Sequence, residues 1–196
     1  QPLGGEFRIS DNNSAARNGP PTIAAGNGEF AVAWTARDGL CHIHVQWVTD
    51  VAQRTDHQLV SGTGHRHSPN LVYSPARQRY TLAYVSGDDY LPPTVFGAET
   101  GDCGNNAYSA SGIGVTEFYF DGDSPVTGTV LDVADVASGT FRPHLAYSLP
   151  LGQYLVVWED RRSAGGEAYR FDVYAQRLSG DMTLLGSDLA LAIGGD

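Results

Sequence analysis

Residues 154–162 read YLVVWEDRR, and residues 172–178, a short distance further along the chain, read DVYAQRL. In the first stretch Tyr154, Val156 and Trp158 recur at a period of two, which places their side chains on one face of an extended strand. The second stretch is again rich in residues that favour strands. The two stretches therefore predict neighbouring β-strands, with the aromatic side chains in the core.

The same pattern occurs three times when Pro21, Pro69 and Pro143 are aligned. Each proline opens a first strand, and a second strand ending in an aromatic residue follows it. The predicted second strands are 30–34, 80–84 and 154–158, the third strands are 42–48, 114–120 and 172–178, and weaker fourth strands lie near 57–61, 128–134 and 187–193. Each repeat is therefore predicted to be a four-stranded meander, with boundaries at about 20–62, 68–134 and 142–196.

The stretches YLVVWEDRR and DVYAQRL resemble the blades of bacterial extracellular β-propeller repeat proteins. The resemblance extends in register over most of the chain and is clearest in the third repeat. It implies an all-β, β-propeller-type domain of four-stranded blades over residues 1–196, and it transfers no catalytic residues. Residues 3–10 look like residues 185–191, so they are expected to be one strand of a further, incomplete blade.

Three blades fill only part of a propeller ring, which usually has about 4 to 8 blades. Because an open arc exposes an apolar face at each end, a second chain or further copies of this chain are expected to complete the ring. The alternative is a monomer in which three units close as a trefoil or prism. Helix is expected in fewer than about one residue in ten, since no segment keeps the apolar spacing of a helix.

The formal net charge is −10, and all 12 basic residues are arginine. An acidic chain without a basic stripe is a poor partner for nucleic acid, and the lack of lysine excludes Schiff-base chemistry. No apolar run approaches the roughly 18 to 20 residues of a membrane span. Since the chain begins at Gln1, we expect a mature, processed protein that is secreted or extracellular, or that resides in the periplasm.

The two cysteines, Cys41 and Cys103, match neither a CxxC redox motif nor a zinc ribbon. In an oxidising compartment the simplest expectation is a disulfide between them, and two separate thiols are the alternative. Cys103 lies in a long insertion, residues 87–112, between the second and third strands of the second repeat. A disulfide would tie this insertion to the face that carries Cys41, and such long loops are often functional.

Seven candidate ligand-binding residues lie where the loops of that face enter the strands. Five are near the start of a first strand and two are at the end of a second strand: His65, His67, Asn70, Arg142, His144, Asp160 and Arg161. Such imidazole, guanidinium and amide groups near a propeller axis suit binding of a carboxylate or a sugar, or acid–base chemistry. The alternatives are ordinary hydrogen bonding at loop ends and a salt-bridged strand terminus.

His42 and His44 are two residues apart on a predicted strand, so both imidazoles share one side, as a metal site requires. No third ligand is close in sequence. A divalent metal is therefore kept as an alternative, and no cofactor is predicted.

These patterns favour an extracellular recognition protein that binds a glycan at one asymmetric site on the loop face. A single site is expected because Thr22, Asn70 and His144 occupy one aligned position and differ in chemistry. The first alternative is a polysaccharide lyase or glycoside hydrolase that uses histidine and arginine chemistry, for which no catalytic residue is assigned. The second alternative is a purely structural half of a larger propeller.

Overall fold

A computed structural model of the chain describes residues 7–10, 17–26, 28–37, 40–49, 57–60, 64–87, 111–136, 139–162 and 171–192. Strands and turns make up this part of the chain, which contains no helix. Its strands are β1 (Arg17–Asn18), β2 (Thr22–Gly26), β3 (Glu29–Arg37), β4 (Cys41–Val48), β5 (His57–Val60), β6 (His65–Ser74), β7 (Arg79–Gly87), β8 (Ser111–Asp121), β9 (Ser124–Thr127), β10 (Leu131–Val136), β11 (Thr140–Ser148), β12 (Gln153–Asp160), β13 (Asp172–Ser179) and β14 (Leu184–Ala192). The prediction of an all-β protein is confirmed.

The strands form three antiparallel sheets, one for each predicted repeat. Sheet 1 has the order β1-β3-β4-β5 with β2 also paired to β3, sheet 2 has the order β10-β8-β7-β6 with β9 also paired to β8, and sheet 3 has the order β11-β12-β13-β14. Each sheet is a meander in sequence order, so one of its edges is the first strand, which contains the aligned proline in sheets 2 and 3 and follows it in sheet 1. The predicted first, second, third and fourth strands of every repeat are present.

Each first strand has a bulge next to the aligned proline, where it contains one residue more than the stretch of the second strand that it pairs with. In sheet 2 the register shifts between His67 and Asn70, and in sheet 3 it shifts between Phe141 and His144. The residues before the prolines, Ser68 and Arg142, have φ angles of 54° and 47°. In sheet 1 the aligned residue is Pro20, whose ring does not permit a positive φ, and here the edge is divided into β1 and β2.

The sheets stack face to face, and the core lies between them. A cluster between sheets 1 and 2 includes Ala31, Ala33, Ile43, Tyr80, Leu82 and Tyr84. A second cluster, between sheets 2 and 3, includes Ala83, Val85, Ile113, Tyr154, Val156 and Trp158. Burial of each large ring, about 200 Å² of surface, contributes roughly 4 to 6 kcal/mol. This consecutive stacking is the packing of propeller blades, whereas the sheets of a prism face one common axis.

The outer face of sheet 1 is partly covered by residues near the start of the chain. Ile9 packs against a small cluster of Val32, Trp34, Ala36 and Val48. Residues 7–10 form no strand, and residues 3–6 lie outside the described part of the chain. The predicted strand of an incomplete blade at residues 3–10 therefore stays a prediction.

Candidate functional site

The predicted site residues lie at one end of the stack, which we call the loop end. Here β6 and β11 begin, while β7 and β12 end. Hydrogen bonds join neighbouring sheets at this end: the Cys41 backbone N–H donates to His65 Nδ1 at 3.2 Å, and the Thr140 backbone N–H donates to Ser111 Oγ at 2.6 Å. The loop end is thus a connected polar layer above the apolar core.

His65 is part of that layer and is buried. Because its Nδ1 accepts the Cys41 N–H, the neutral ring carries its proton on Nε2. Burial lowers the pKa of His65, and the positive charge of Arg37 lowers it further. The hydrogen bond and the lowered pKa both oppose protonation of this imidazole.

His67, two residues further along β6, is also buried, and its Nδ1 lies 2.9 Å from the Ser68 hydroxyl. Burial lowers the pKa of His67 to about 3, with a further contribution from His65. An imidazole with that pKa stays neutral over the range in which histidine usually exchanges protons. In the structure His67 is a packed core side chain.

Asn70 connects two sheets. Its Oδ1 accepts the backbone N–H of Leu145 on β11 at 2.9 Å, and Thr22, at the aligned position of sheet 1, accepts the N–H of Leu71 on β6 at 3.3 Å. The first strands therefore lie side by side, linked by the side chain that follows each proline. The third aligned residue, His144, is exposed on the outer face of sheet 3.

Asp160 is the centre of a buried network at the end of β12. Its carboxylate accepts hydrogen bonds from Trp158 Nε1 at 3.0 Å and from the backbone N–H and the guanidinium of Arg162, at distances of 2.7 to 2.9 Å. The Arg162 guanidinium also lies 3.9 Å from the Tyr174 ring centroid and is paired with Asp188. This geometry corresponds to the salt-bridged strand terminus, because no side of Asp160 faces solvent.

The accessible candidates lie on sheet 3. Arg142 is exposed, and its Nη1 donates to both carboxylate oxygens of Glu159, at 3.1 and 3.0 Å. Its left-handed backbone, at the extra residue of β11, turns the side chain out of the regular alternation of the strand. Residues held in that region of backbone space are often found at binding sites.

Two aromatic residues beside this ion pair were not among the candidates. Phe141 and Phe171 meet edge to face with ring centroids 5.4 Å apart, and the guanidinium of Arg161 lies 5.9 Å from the Phe171 centroid. Phe171 is exposed although it is large and apolar. The sequence shows a phenylalanine just before the third strand of this repeat, but its exposure is visible only in the structure.

His42 and His44 lie on β4 on the outer face of sheet 1. The His42 Nδ1 is 3.2 Å from Gln58 Nε2, and the His44 ring lies 5.9 Å from that of Trp34. Within the described ranges no group of three metal-binding side chains comes together. Cys41 is buried, while Cys103 and most of the 87–112 insertion lie outside those ranges, so the disulfide stays a prediction.

In the part of the chain that the structure describes, no helix has the length and apolar character needed to cross a membrane.

Comparison with known proteins identifies similar folds. An arabinanase from Bacillus subtilis matches with a TM-score of 0.52 and 15% identity, over 91% of this chain and 60% of that one. An endo-arabinanase of the GH43 family from Bacillus licheniformis has a TM-score of 0.51 and 14% identity, over 90% and 60%. An inulosucrase from Halalkalicoccus jeotgali bound to kestose has a TM-score of 0.54 and 11% identity, over 95% and 56%.

At these identities the likeness shows the fold alone, and that fold is the propeller-type arrangement implied by the repeats. The chain spans at most 60% of the length of these three structures. No protein-family model matches the chain, and no curated protein matches its sequence.

Proposed function

We propose that the chain is part of an extracellular glycan-recognition propeller and that it binds sugar at the loop end of sheet 3. The observation that supports this most directly is the group of accessible side chains there: the Arg142–Glu159 pair beside the Phe141–Phe171 pair. Guanidinium and carboxylate groups hydrogen-bond sugar hydroxyls, and an exposed ring packs against the apolar face of a sugar. Such a combination is typical of a polar ligand site with an apolar wall.

The similar structures support the same class of ligand. Two are described as arabinanases and one as an inulosucrase bound to kestose, so all three act on or bind carbohydrate. Their low identity transfers no residue role to this chain. They make carbohydrate the first ligand class to test.

Recognition has more support than hydrolysis among the described residues. Glycoside hydrolases usually need two carboxyl groups on either side of the scissile bond. The described first strands β1, β2, β6 and β11, which are next to one another, contain no aspartate or glutamate. A hydrolase would have to draw its carboxylates from elsewhere, for example Glu159, which is paired with Arg142.

A lyase would need an accessible base and a cation that neutralises a uronate. Arg142 suits the second role, but His65 and His67 are buried and have lowered pKa values. Only His144 of the three candidate histidines is exposed. The lyase is therefore the second candidate function.

Isothermal titration calorimetry tests the proposal with two probes, neutral arabino-oligosaccharides and acidic oligogalacturonates. We expect one of them to bind, and we expect Arg142→Ala and Phe171→Ala each to weaken binding by about tenfold or more, equivalent to about 1.4 kcal/mol. The matched control is Arg79→Ala, because Arg79 packs on the Tyr119 ring at the opposite end of sheet 2.

A parallel assay for new reducing ends and for the unsaturated product of elimination separates the alternatives. Binding without product supports recognition, new reducing ends without an unsaturated product support a hydrolase, and an unsaturated product supports a lyase. The proposed site is contradicted if neither probe binds, or if the Arg79→Ala control loses as much affinity as the Arg142→Ala and Phe171→Ala variants.

A further inference from the structure

Arg37 and Arg66, at the loop end, are half-buried arginines with unusual surroundings. Arg77, Arg142 and Arg162 each lie 2.7 to 3.0 Å from a carboxylate oxygen. Among the residues that the structure describes, no carboxylate comes within ion-pairing distance of Arg37 or Arg66. In a chain with a net charge of −10, two half-buried arginines without such a partner need an explanation of their own.

The two side chains lie in the gap between sheets 1 and 2. Arg37 is on the same side of β3 as Ala33, which belongs to the core cluster between these sheets. Arg66 pairs with Ser86, which is on the same side of β7 as Tyr84 of that cluster. Because cross-strand partners share a face, Arg37 on sheet 1 and Arg66 on sheet 2 face each other across the gap.

Contacts with His65 bring the two arginines to one place. The Nη1 of Arg66 donates to the backbone oxygen of His65 at 3.0 Å. Arg37 is the cross-strand partner of Cys41, whose backbone N–H donates to the His65 ring. Burial is the largest cause of the lowered pKa of His65, and the charges of Arg37 and Arg66 both add to it. Both guanidinium groups therefore lie near this imidazole.

The described carboxylate that acts on this part of the gap is Asp132. It is exposed, and its charge raises the pKa of Tyr84, for which burial is the largest cause. Within the described ranges it forms no ion pair with Arg37 or with Arg66. Two like charges that are half-buried near each other raise the free energy of the folded chain unless an anion lies between them.

We propose that Arg37 and Arg66 together bind a small oxyanion, of the sulfate or carboxylate type, between sheets 1 and 2 at the loop end. Each guanidinium presents a fork of N–H donors that matches two oxygens of such a group. The bound anion would join the two sheets, in addition to the hydrogen bond between Cys41 and His65. The site is separate from the group around Arg142 on sheet 3 and does not depend on sugar binding there.

An NMR titration with sodium sulfate tests this site, with sodium chloride added to hold the ionic strength constant. We expect saturable shifts of the backbone amides of residues 35–37, 65–67 and 86. Arg37→Gln and Arg66→Gln should each weaken binding by about tenfold or more, because each removes hydrogen bonds between charged groups. The control is Arg79→Gln, since Arg79 packs on the Tyr119 ring at the opposite end of sheet 2 and should not affect sulfate affinity.

A stability measurement gives a second readout. Exclusion of sulfate from the protein surface stabilises every variant, so the specific effect is the difference between chains. The wild-type chain should gain more resistance to urea from sulfate than Arg37→Gln or Arg66→Gln does, because a bound anion stabilises only the folded state. Circular dichroism of each variant confirms that the chain is folded.

The source of the oxyanion is tested by adding acidic oligogalacturonate to the sulfate-loaded chain. Displacement of sulfate from these amides assigns the oxyanion to the acidic group of a glycan, whereas retention of sulfate assigns it to a free ion, and both results support the site. Absence of saturable shifts at these amides, as expected if a carboxylate of this chain already fills the gap, would overturn the proposal. An equal loss of affinity in Arg79→Gln would overturn it as well.

Discussion

The buried imidazole of His67 should make the chain lose stability in mild acid. Burial lowers the pKa of His67 to about 3, from the ordinary value of 6.5. In the unfolded chain the ring takes up a proton below pH 6.5, whereas in the folded chain it stays neutral. Its stabilising effect is therefore complete above pH 6.5 and is lost progressively as the pH falls toward 3.

The size of the effect follows from the linkage relation. Between pH 7.5 and pH 5 this one group should reduce the free energy of unfolding by about 2 kcal/mol, with a slope approaching about 1.4 kcal/mol per pH unit. The pKa of His65 is lowered too, which adds to the slope in the same direction. Most carboxylates with ordinary pKa values remain ionised at pH 5 and above, so the histidines dominate this window.

Urea denaturation at several pH values from 7.5 to 5 measures the slope. His67→Asn places an amide near the Ser68 hydroxyl but cannot take up the proton, so we expect a flatter pH dependence and a lower overall stability. The control is His144→Asn, which replaces a solvent-exposed histidine. If the His67→Asn chain keeps the wild-type slope, the prediction that His67 is buried as a neutral imidazole is wrong.

Three further substitutions should each lower the free energy of unfolding, which is measured from the midpoint of urea denaturation. Trp158→Ala should cost about 3 to 5 kcal/mol because the ring is buried between sheets 2 and 3. Asn70→Ala should cost about 1 to 3 kcal/mol by leaving the Leu145 N–H without its acceptor, and Asn70→Asp, which retains an acceptor, should cost less. Gly26→Ala should lower the free energy of unfolding by about 1 to 3 kcal/mol, since the added Cβ would overlap the ring of Tyr73. Unchanged midpoints would contradict these contacts.

The repeat could be predicted from the sequence because the period of two and the aromatic core residues are features of each single strand. The spacing of Tyr154, Val156 and Trp158 predicts which face is buried, and the structure places all three rings or side chains in one cluster. The aligned prolines marked the first strands correctly. The extra residue at Ser68 and Arg142 was not predicted, since a positive φ at such residues is rare and leaves no pattern in a single sequence.

The candidate site was predicted only in part. The positions of the candidates in the repeats correctly predicted that they lie at one end of the sheets. Their burial was not predicted, because it depends on contacts with the neighbouring sheet. His65 is covered through its contact with Cys41, 24 residues away, and Asn70 is bound to a strand 75 residues away. Arg142 remained accessible, and Phe171 was missed because exposure of an apolar ring depends on the packing around it.

The most direct test of the account is to map the sugar contact by NMR, following backbone amide shifts during titration with the oligosaccharide that binds in calorimetry. The account predicts saturable shifts concentrated at residues 139–144, 159–162 and 171, at the loop end of sheet 3. Shifts concentrated at the opposite end of the sheets, around Arg79 and Tyr119, or saturable binding that leaves Arg142 and Phe171 unaffected, would contradict it.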